Sequence, residues 1–518
     1  MNTWAALVGV MVLSAPAYAH AQPTEQAEND ARSCAPGAYA GTVECVNAEA
    51  AYRLRTARHD PAPFTAAIEM TVFLAAGTAW YWIDKDKNVA DWDFDSWSDR
   101  FDRDAFRMDN NQFGVNFVLH PMSGSAFYGF ARSNDLSVGV SFTYAFLTSF
   151  IWEWLLEFRE RVSVNDQIAT PAAGLVVGEF FHKLGRYLHD TPVPSRGRRA
   201  LAWLFGTPQA FSRAIRRRRG VDAGVDGRWT HGFRLGYGAT LATDRSRTFH
   251  LHAIDFDGTL IDLPGHLRDG RYRRFFHDAN VSRLRARATR GRAGGGFDLY
   301  AQNTLFGIEA QSIEDGRGSA VVAGLGMGYR YRRQTYRSRS DDAASGWHDR
   351  LGIVQLPGLA LDATLLSPRV QLHTSARMHP DFVGVHTEPF AAWQAAHPAE
   401  QTKSILEKQN YTYGWGMSSS VQAELRFQWP RVRMDLGGSA WFGRWESREG
   451  RDRSQAELTV DIESRDQALD LEGWVRVHTP RNLFLQLGVR TQRRHTLLED
   501  LRHRAGLRQI TLLFGLSR

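Results

Sequence analysis

Cysteine is almost missing from this chain of 518 residues: Cys34 and Cys45 are the two that occur, both close to the start. The rest of the fold therefore cannot depend on thiol chemistry, and in an oxidising compartment the pair is expected to close one small disulfide loop. Lysine is nearly as scarce. Of 63 basic residues only Lys85, Lys87, Lys183, Lys403 and Lys408 are lysine, so the net charge of +7 is carried by arginine. Acid-free apolar runs of spanning length are lacking too. Residues 64–83 are interrupted by Glu69, and residues 136–158 by Glu153 and Glu157. Unpaired acids are rare in spanning helices, so both stretches are expected as buried helices of one module.

What is present first is an address. Residues 1–21 hold an apolar run from Ala5 to Leu13 and the cleavage-like triplets Ala17-Tyr18-Ala19 and Ala19-His20-Ala21, although no Lys or Arg precedes the run. This reads as a signal peptide, too short to span a bilayer, and sends the mature chain out of the cytoplasm. A basic exported protein points to anionic lipid as its partner, and no nucleic-acid motif supports the alternative. Residues 22–60 read as a flexible polar segment.

Residues 191–229 read as a basic linker, with Arg216, Arg217, Arg218 and Arg219 in a run and Trp203, Phe205, Phe211 and Ile215 interleaved among the arginines. A solvated linker and a contact for anionic lipid head groups both fit. From about Thr230 the hydrophobic period changes to two. Tyr411, Tyr413, Trp415, Met417, Val421, Ala423, Leu425, Phe427 and Trp429 share one face against Thr412, Gly414, Gly416, Ser418, Ser420, Gln422, Glu424, Arg426 and Gln428. The same alternation recurs near residues 233–241, 321–332, 432–442, 456–463, 483–490 and 509–517. Long strands, aromatic ends and a polar face carrying Arg and Glu suit a wet lumen. The fold class expected is α+β: a helical, polar-centred module (61–190), then a transmembrane antiparallel β-barrel of roughly twelve strands (230–518) in the outer membrane of a Gram-negative envelope. Turns fall near Asp244, Gly316, Pro368, Pro430 and Pro480. This strand count leaves the long segments 263–296 and 383–410 on the periplasmic side, the reverse of the usual asymmetry.

Two motifs lack their context. Asp255-Phe256-Asp257-Gly258-Thr259 matches the opening of haloacid-dehalogenase-type phosphatases, but no later motif of that family follows, and these residues fit one polar strand face. His373-Thr374-Ser375 is similar to the His-x-Ser pairing of outer-membrane phospholipases, without an orienting third group or an oxyanion hole; a hydrogen-bonding pair facing the lumen is expected. The richer cluster is the stretch from His120 to His182. The candidate residues there are His120, Glu153, Glu157, Asn165, Asp166, Glu179 and His182. Glu153, Glu157 and Glu160 follow helical spacing, and Glu179-x-x-His182 would present a carboxylate and an imidazole together, as acid and base or as metal ligands. A satisfied polar network holding helices together is the competing reading. Thr170-Pro171 reads as a helix start, placing Gly174, Gly178, His182 and Gly185 near one face for close backbone approach.

The ordered set Asn116, His120-Pro121, Gly124, Tyr128, Arg132, Trp152-Glu153, Ser163-x-Asn165-Asp166, Thr170-Pro171, Gly174 and Gly178-Glu179 resembles the bacterial family catalogued as domain of unknown function 3943, over roughly residues 80–189. The resemblance implies an envelope protein and carries no catalytic residue or cofactor with it. Two functions are then expected to compete. One is a non-enzymatic barrel with the module as plug or periplasmic unit in lipid or solute handling, with a small solute or lipid as lumen ligand. The other is an envelope lipid hydrolase using the His/Glu/Asp cluster.

Overall fold

In the second half of the chain, runs that alternate apolar with polar residues pair edge to edge until the sheet meets itself. The computed structural model describes residues 61–83, 98, 101, 106–109, 111–158, 160–189, 195–216, 230–244, 247–337, 346–398, 405–449 and 462–517. The signal segment, Cys34 and Cys45, Arg217 to Arg219 and most of the strand expected at 456–463 lie outside the described residues.

A short parallel pair, β1 (Phe106–Arg107) and β2 (Val162–Ser163), belongs to the helical part. The barrel strands are β3 (Thr230–Asp244), β4 (Arg247–Ile261), β6 (Val281–Gly291), β7 (Gly294–Glu314), β8 (Arg317–Arg337) and β9 (Gly346–Leu366), followed by β10 (Val370–His386), β11 (Tyr411–Gln428), β12 (Arg433–Glu449), β13 (Ser464–His478), β14 (Leu483–Leu498) and β15 (Leu501–Ser517). Each pairs antiparallel with its neighbours, and β15 returns to β3 from Leu507↔Asp244 to Ser517↔Arg234. Twelve strands thus form a ring with no free edge. β5 (Gly270–Phe276) is an addition: β6 covers β7 as far as Thr304, and β5 takes the edge from Gly307 to Ile313.

The strand expected nowhere was β6. Its face of Leu284, Ala286 and Ala288 is short and small, so the alternation with Arg283, Arg285 and Arg287 escapes a search for large apolar residues. Counting β6 reverses the sense of every strand after it. Thr230, Ser517 and the short turns 315–316, 367–369, 429–432 and 479–482 now share one end, and the strand ends Arg337 and Gly346, His386 and Tyr411, and Glu449 and Ser464, which bound the longer connections, share the other. The first end is periplasmic by the usual asymmetry. The connection 262–280, which holds β5, also lies there.

The helical part comprises α1 (Pro63–Ile83), α2 (His120–Ser133) with a π turn before it (Val115–Leu119), α3 (Val138–Ile151) continuing as a π turn (Trp152–Leu156), α4 (Val164–His189), α5 (Arg196–Phe205) and α6 (Thr207–Ile215). Two more, α7 (Phe390–Ala396) and α8 (Ile405–Gln409), lie in the connection 387–410. Ser137 caps α3 by accepting from Val140 N at 3.3 Å, and Ser195 caps α5 by accepting from Arg198 N at 3.2 Å. Residues 196–215, expected as linker, are thus two helices. Their sequence alternates arginine with Leu, Trp and Phe at helical spacing, and they fold onto α4. Nor does α4 start at Thr170-Pro171. It begins at Val164 and runs through Pro171, tolerating the lost amide because tertiary contacts on both sides hold the helix. At 26 residues it is about 39 Å long.

The helices sit outside the barrel, against its outer wall. Along β8 the lumen takes Arg330, Arg332 and Gln334, while Met327, Tyr329 and Tyr331 point out and are buried under the helices. Asn303 of β7 donates to the carbonyl of Val176 in α4 at 2.9 Å, and Tyr329 to that of Phe117. The Phe117 ring lies against Gly352 of β9 and Gly384 of β10, where any side chain would collide with it. Of the two placements expected for the module, plug or periplasmic unit, the plug is overturned: the outward faces of β4 and β6–β11 and the helices form one core.

Candidate functional site

Side chains on α2 and α4 meet because glycine lets the two backbones touch. A Cβ on Gly124 would strike the Thr170 carbonyl, and one on Gly174 would strike Gly124. Two polar clusters flank this contact. At the end away from the periplasm, His120 Nε2 stands 3.5 Å from Asp166 Oδ1, Asn165 Nδ2 donates to the same oxygen at 2.9 Å, and Ser163 N donates to Glu153 Oε2 at 3.1 Å. Asn165 Oδ1 accepts from Asp109 N at 2.6 Å, and the Asp109 carbonyl accepts from Tyr413 on the barrel at 2.9 Å. Of the candidate residues, His120, Glu153, Asn165 and Asp166 are thus brought into one network. Glu157 and Glu160 do not share a helical face with Glu153, because the helix ends in a π turn at Leu156. Glu157 caps that turn through its amide on Trp152 at 2.9 Å, and Glu160 accepts from Tyr81 of α1 at 2.6 Å.

Glu179 and His182 lie 13 and 16 residues further along α4, roughly 20 and 24 Å from Asp166. They do not face a common point. Arg132 donates to Glu179 at 2.8 and 3.2 Å and Tyr128 donates to it at 2.6 Å, while Lys183 is 3.6 Å away. His182 Nδ1 instead meets Gln209 of α6 at 2.8 Å. Among the described residues no three His, Cys, Asp or Glu side chains are grouped to hold a metal ion. Arg132 also reaches Asp278 at 2.9 Å, and Lys183 donates to the Ala279 carbonyl, so this cluster ties the bundle to the connection 262–280. A third group, with no candidate in the sequence reading, joins Glu69 of α1 to Asn134 and Ser212, each at 2.7 Å. Glu69, read as an interruption, ties α1 to the ends of α2 and α6.

Acid and base chemistry has little room here. Thr170 Oγ1 is 3.4 Å from His120 Nδ1, but Thr170 is buried in the α2–α4 contact with Gly124 pressed on its carbonyl. The Asp255 motif lies on β4, where Asp255 and Asp257 accept from Arg287 and Arg234 at 2.6 Å each. His373 and Ser375 do share the lumen face, yet His373 meets Thr364 at 3.1 Å and Arg283 at 3.2 Å instead of Ser375.

The lumen itself divides in two. Toward the distal end Leu351, Ile353, Val383, Val385, Trp441 and Trp445 face inward and are 0–5% exposed, so the bore there is packed with side chains. Level with them, Arg330 and Arg332 reach Asp470 at 2.5 and 2.6 Å and Arg490 reaches Asp298 at 2.6 Å, and Arg494 bridges Asp349 and Asp466 at 2.7 and 2.9 Å. Toward the periplasm a cavity of about 400 Å³ remains. Of its arginines, Arg234, Arg330, Arg426 and Arg490 lie on polar faces that the alternation marked, whereas Arg283, Arg285 and Arg287 were missed although they recur every second residue. In the distal connection, burial pushes the Glu388 carboxyl up, but the hydrogen bond with His386 (2.8 Å) and the charges of His386, His503 and His348 together leave the group below its ordinary value.

A twelve-stranded antiparallel barrel, closed on itself, with apolar residues outward and ion pairs inside, crosses an outer membrane. Residues 105–208 match the family model described as "Domain of unknown function (DUF3943)". No curated protein matches the chain. Among solved structures, the beta domain of the Bordetella autotransporter BrkA is similar at 8% identity over 56% of this chain and 99% of that one, with a TM-score of 0.22. The translocator domain of NalP from Neisseria meningitidis gives 11%, 61%, 99% and 0.22, and Omp33 of Acinetobacter baumannii 10%, 56%, 100% and 0.18. At such TM-scores the barrel stands on its own strand pairing.

Proposed function

We propose that this outer-membrane barrel works at the lipid boundary, holding a helical bundle within the membrane on its outer wall and engaging phospholipid of the periplasmic leaflet through α5 and α6. The observation that carries this reading is the seating of α4 on outward-facing strand residues, in the layer where lipid otherwise meets a barrel. The outer surface of the bundle supports it. Ile68, Val72 and Trp80 of α1 and Val140, Leu147, Phe150 and Ile151 of α3 are exposed, while the ionisable groups turn inward, the arrangement expected of helices in hydrocarbon. Among the described residues α1 alone is a helix long and apolar enough to cross a bilayer, and α4 has the length to do so under cover of its neighbours.

α5 and α6 supply the lipid contact. Leu201, Trp203, Leu204, Phe211 and Ile215 are exposed beside Arg196 and Arg199, at the end where Tyr187 meets His231 of β3 at 3.1 Å. Apolar residues flanked by arginine suit an interfacial helix pair held by anionic head groups. The charged run expected at Arg216 to Arg219 has one described member, Arg216, which pairs with Asp135 at 3.3 Å.

A photoreactive side chain tests this in the full-length protein reconstituted in phosphatidylethanolamine and phosphatidylglycerol. At position 147 or 203 it is expected to label lipid, and at 176 to label the barrel. Absence of lipid adducts at both 147 and 203 would overturn the reading. A hydrolase finds no supporting geometry in the His120–Asp166 pair, 3.5 Å apart with Asp166 buried.

A further inference from the structure

The periplasmic half of the lumen is lined by ion pairs with an unequal presentation. Arg234, Arg283, Arg285, Arg426 and Arg433 keep 19–31% of their side-chain surface open, whereas Asp362, Glu472, Glu424 and Asp435, which hold them, keep 0–10%. Asp257 is the exception at 27%. The carboxylates lie in the wall and the guanidinium groups stand in front of them. His373, open to 26%, adds a further nitrogen to the same surface.

A guanidinium fixed from behind by a carboxylate keeps its remaining N–H groups aimed forward, and several such groups converging in a low-dielectric bore focus positive potential. Such a surface recognises phosphate or carboxylate through charge-assisted, often bidentate hydrogen bonds. The volume of about 400 Å³ suits a small molecule. The packed layer of Leu351, Ile353, Trp441 and Trp445 closes the bore beyond it.

We infer that the periplasmic half of the lumen is a binding site for a small organic polyanion, carrying phosphate or several carboxylates, which enters from the periplasmic mouth and is retained there. This site is separate from the lipid contact of α5 and α6, and each stands or falls by its own measurement.

Two variants test it without opening the wall. Arg285→Gln leaves Glu472 with Arg287 at 2.8 Å, and Arg426→Gln leaves Asp435 with Arg476 at 3.2 Å and His478 at 2.8 Å. Both are expected to keep the mobility shift between unboiled and boiled samples. Calorimetric titration of the full chain in zwitterionic detergent with inorganic pyrophosphate, and separately with citrate, should give saturable binding by at least one. Each variant should weaken it about tenfold, the loss of one charge-assisted hydrogen bond, and raised salt should weaken it further. Competition by glycerol 3-phosphate for bound pyrophosphate would place a head-group fragment in the site, and citrate as the stronger ligand would place a soluble polycarboxylate there. Absence of saturable binding by both probes, or affinities unchanged in both folded variants, overturns the inference.

Discussion

The outer wall of this barrel has two kinds of surface, although one strand pattern builds both. On β12 to β15 and β3 the outward residues are large, apolar and open: Leu436, Phe442, Leu471, Leu485, Leu487, Ile510, Leu512, Phe514 and Leu235. On β6 to β11 the outward positions under the helices include Asn303, Gly352, Gly384, Tyr411 and Tyr413, which close-pack or hydrogen-bond. Lipid adapts its shape to any apolar wall, so the bare side asks only for hydrophobicity. A folded neighbour has a fixed shape and polar backbone groups, so the covered side needs glycine gaps and donors at set positions.

The largest expected test of this contrast removes the charge that ties the bundle to the barrel. Arg132→Ala leaves Glu179 and Asp278 without their main partner and should cost about 3–5 kcal/mol. Urea titration in liposomes should find the loss in the helical part, with the bundle opened to protease while the barrel stays heat-modifiable; an unchanged protease pattern would argue that Arg132 is not the tie.

A smaller effect compares glycines on the two surfaces. Gly352→Leu drives a side chain into Phe117 and should destabilise the bundle's seat by about 1–3 kcal/mol. Gly473→Leu on the bare wall, where a Cβ would meet nothing nearer than the Gly437 carbonyl at 3.9 Å, should stay within about 0.5 kcal/mol. Equal costs at the two positions would erase the distinction.

The smallest effect lies in the connection 387–410, away from both surfaces. Because the folded carboxyl of Glu388 sits below its ordinary 4.5, its contribution is complete above that pH and fades as pH falls through the lower folded value. Trp393, packed on Phe390 and His397 in the same connection, is expected to change emission below about pH 4.5, and Glu388→Gln to remove that acid step. The wall comparison is sharpened if neither glycine variant moves this transition.

The strands that were read directly have large outward residues, although β13, with Leu471 and Val475 outward, runs over Ser464–His478 instead of the expected 456–463. β11, β14 and β15 could be read because Trp415, Leu487 and Phe514 meet lipid, and the turns near Gly316, Pro368, Pro430 and Pro480 fall where expected. β6 was not, because its outward Leu284, Ala286 and Ala288 lie on the side toward the helices, where small residues are favoured. The polar cluster was legible as composition. Its division into His120–Asp166 at one end and Glu179–Arg132 at the other was not, because a helix carries residues 13 apart through roughly 20 Å, and the helix start misread at Thr170 concealed that the two groups share one helix.

By itself the sequence determined a barrel and a helical module with a polar centre, since alternation and helical spacing are local properties that each segment carries alone. Only the tertiary structure decided that the module lies outside the barrel and that the lumen's arginines stand in front of their carboxylates. Both depend on which face of a strand a distant segment meets, and a period of two marks two faces without saying what covers either.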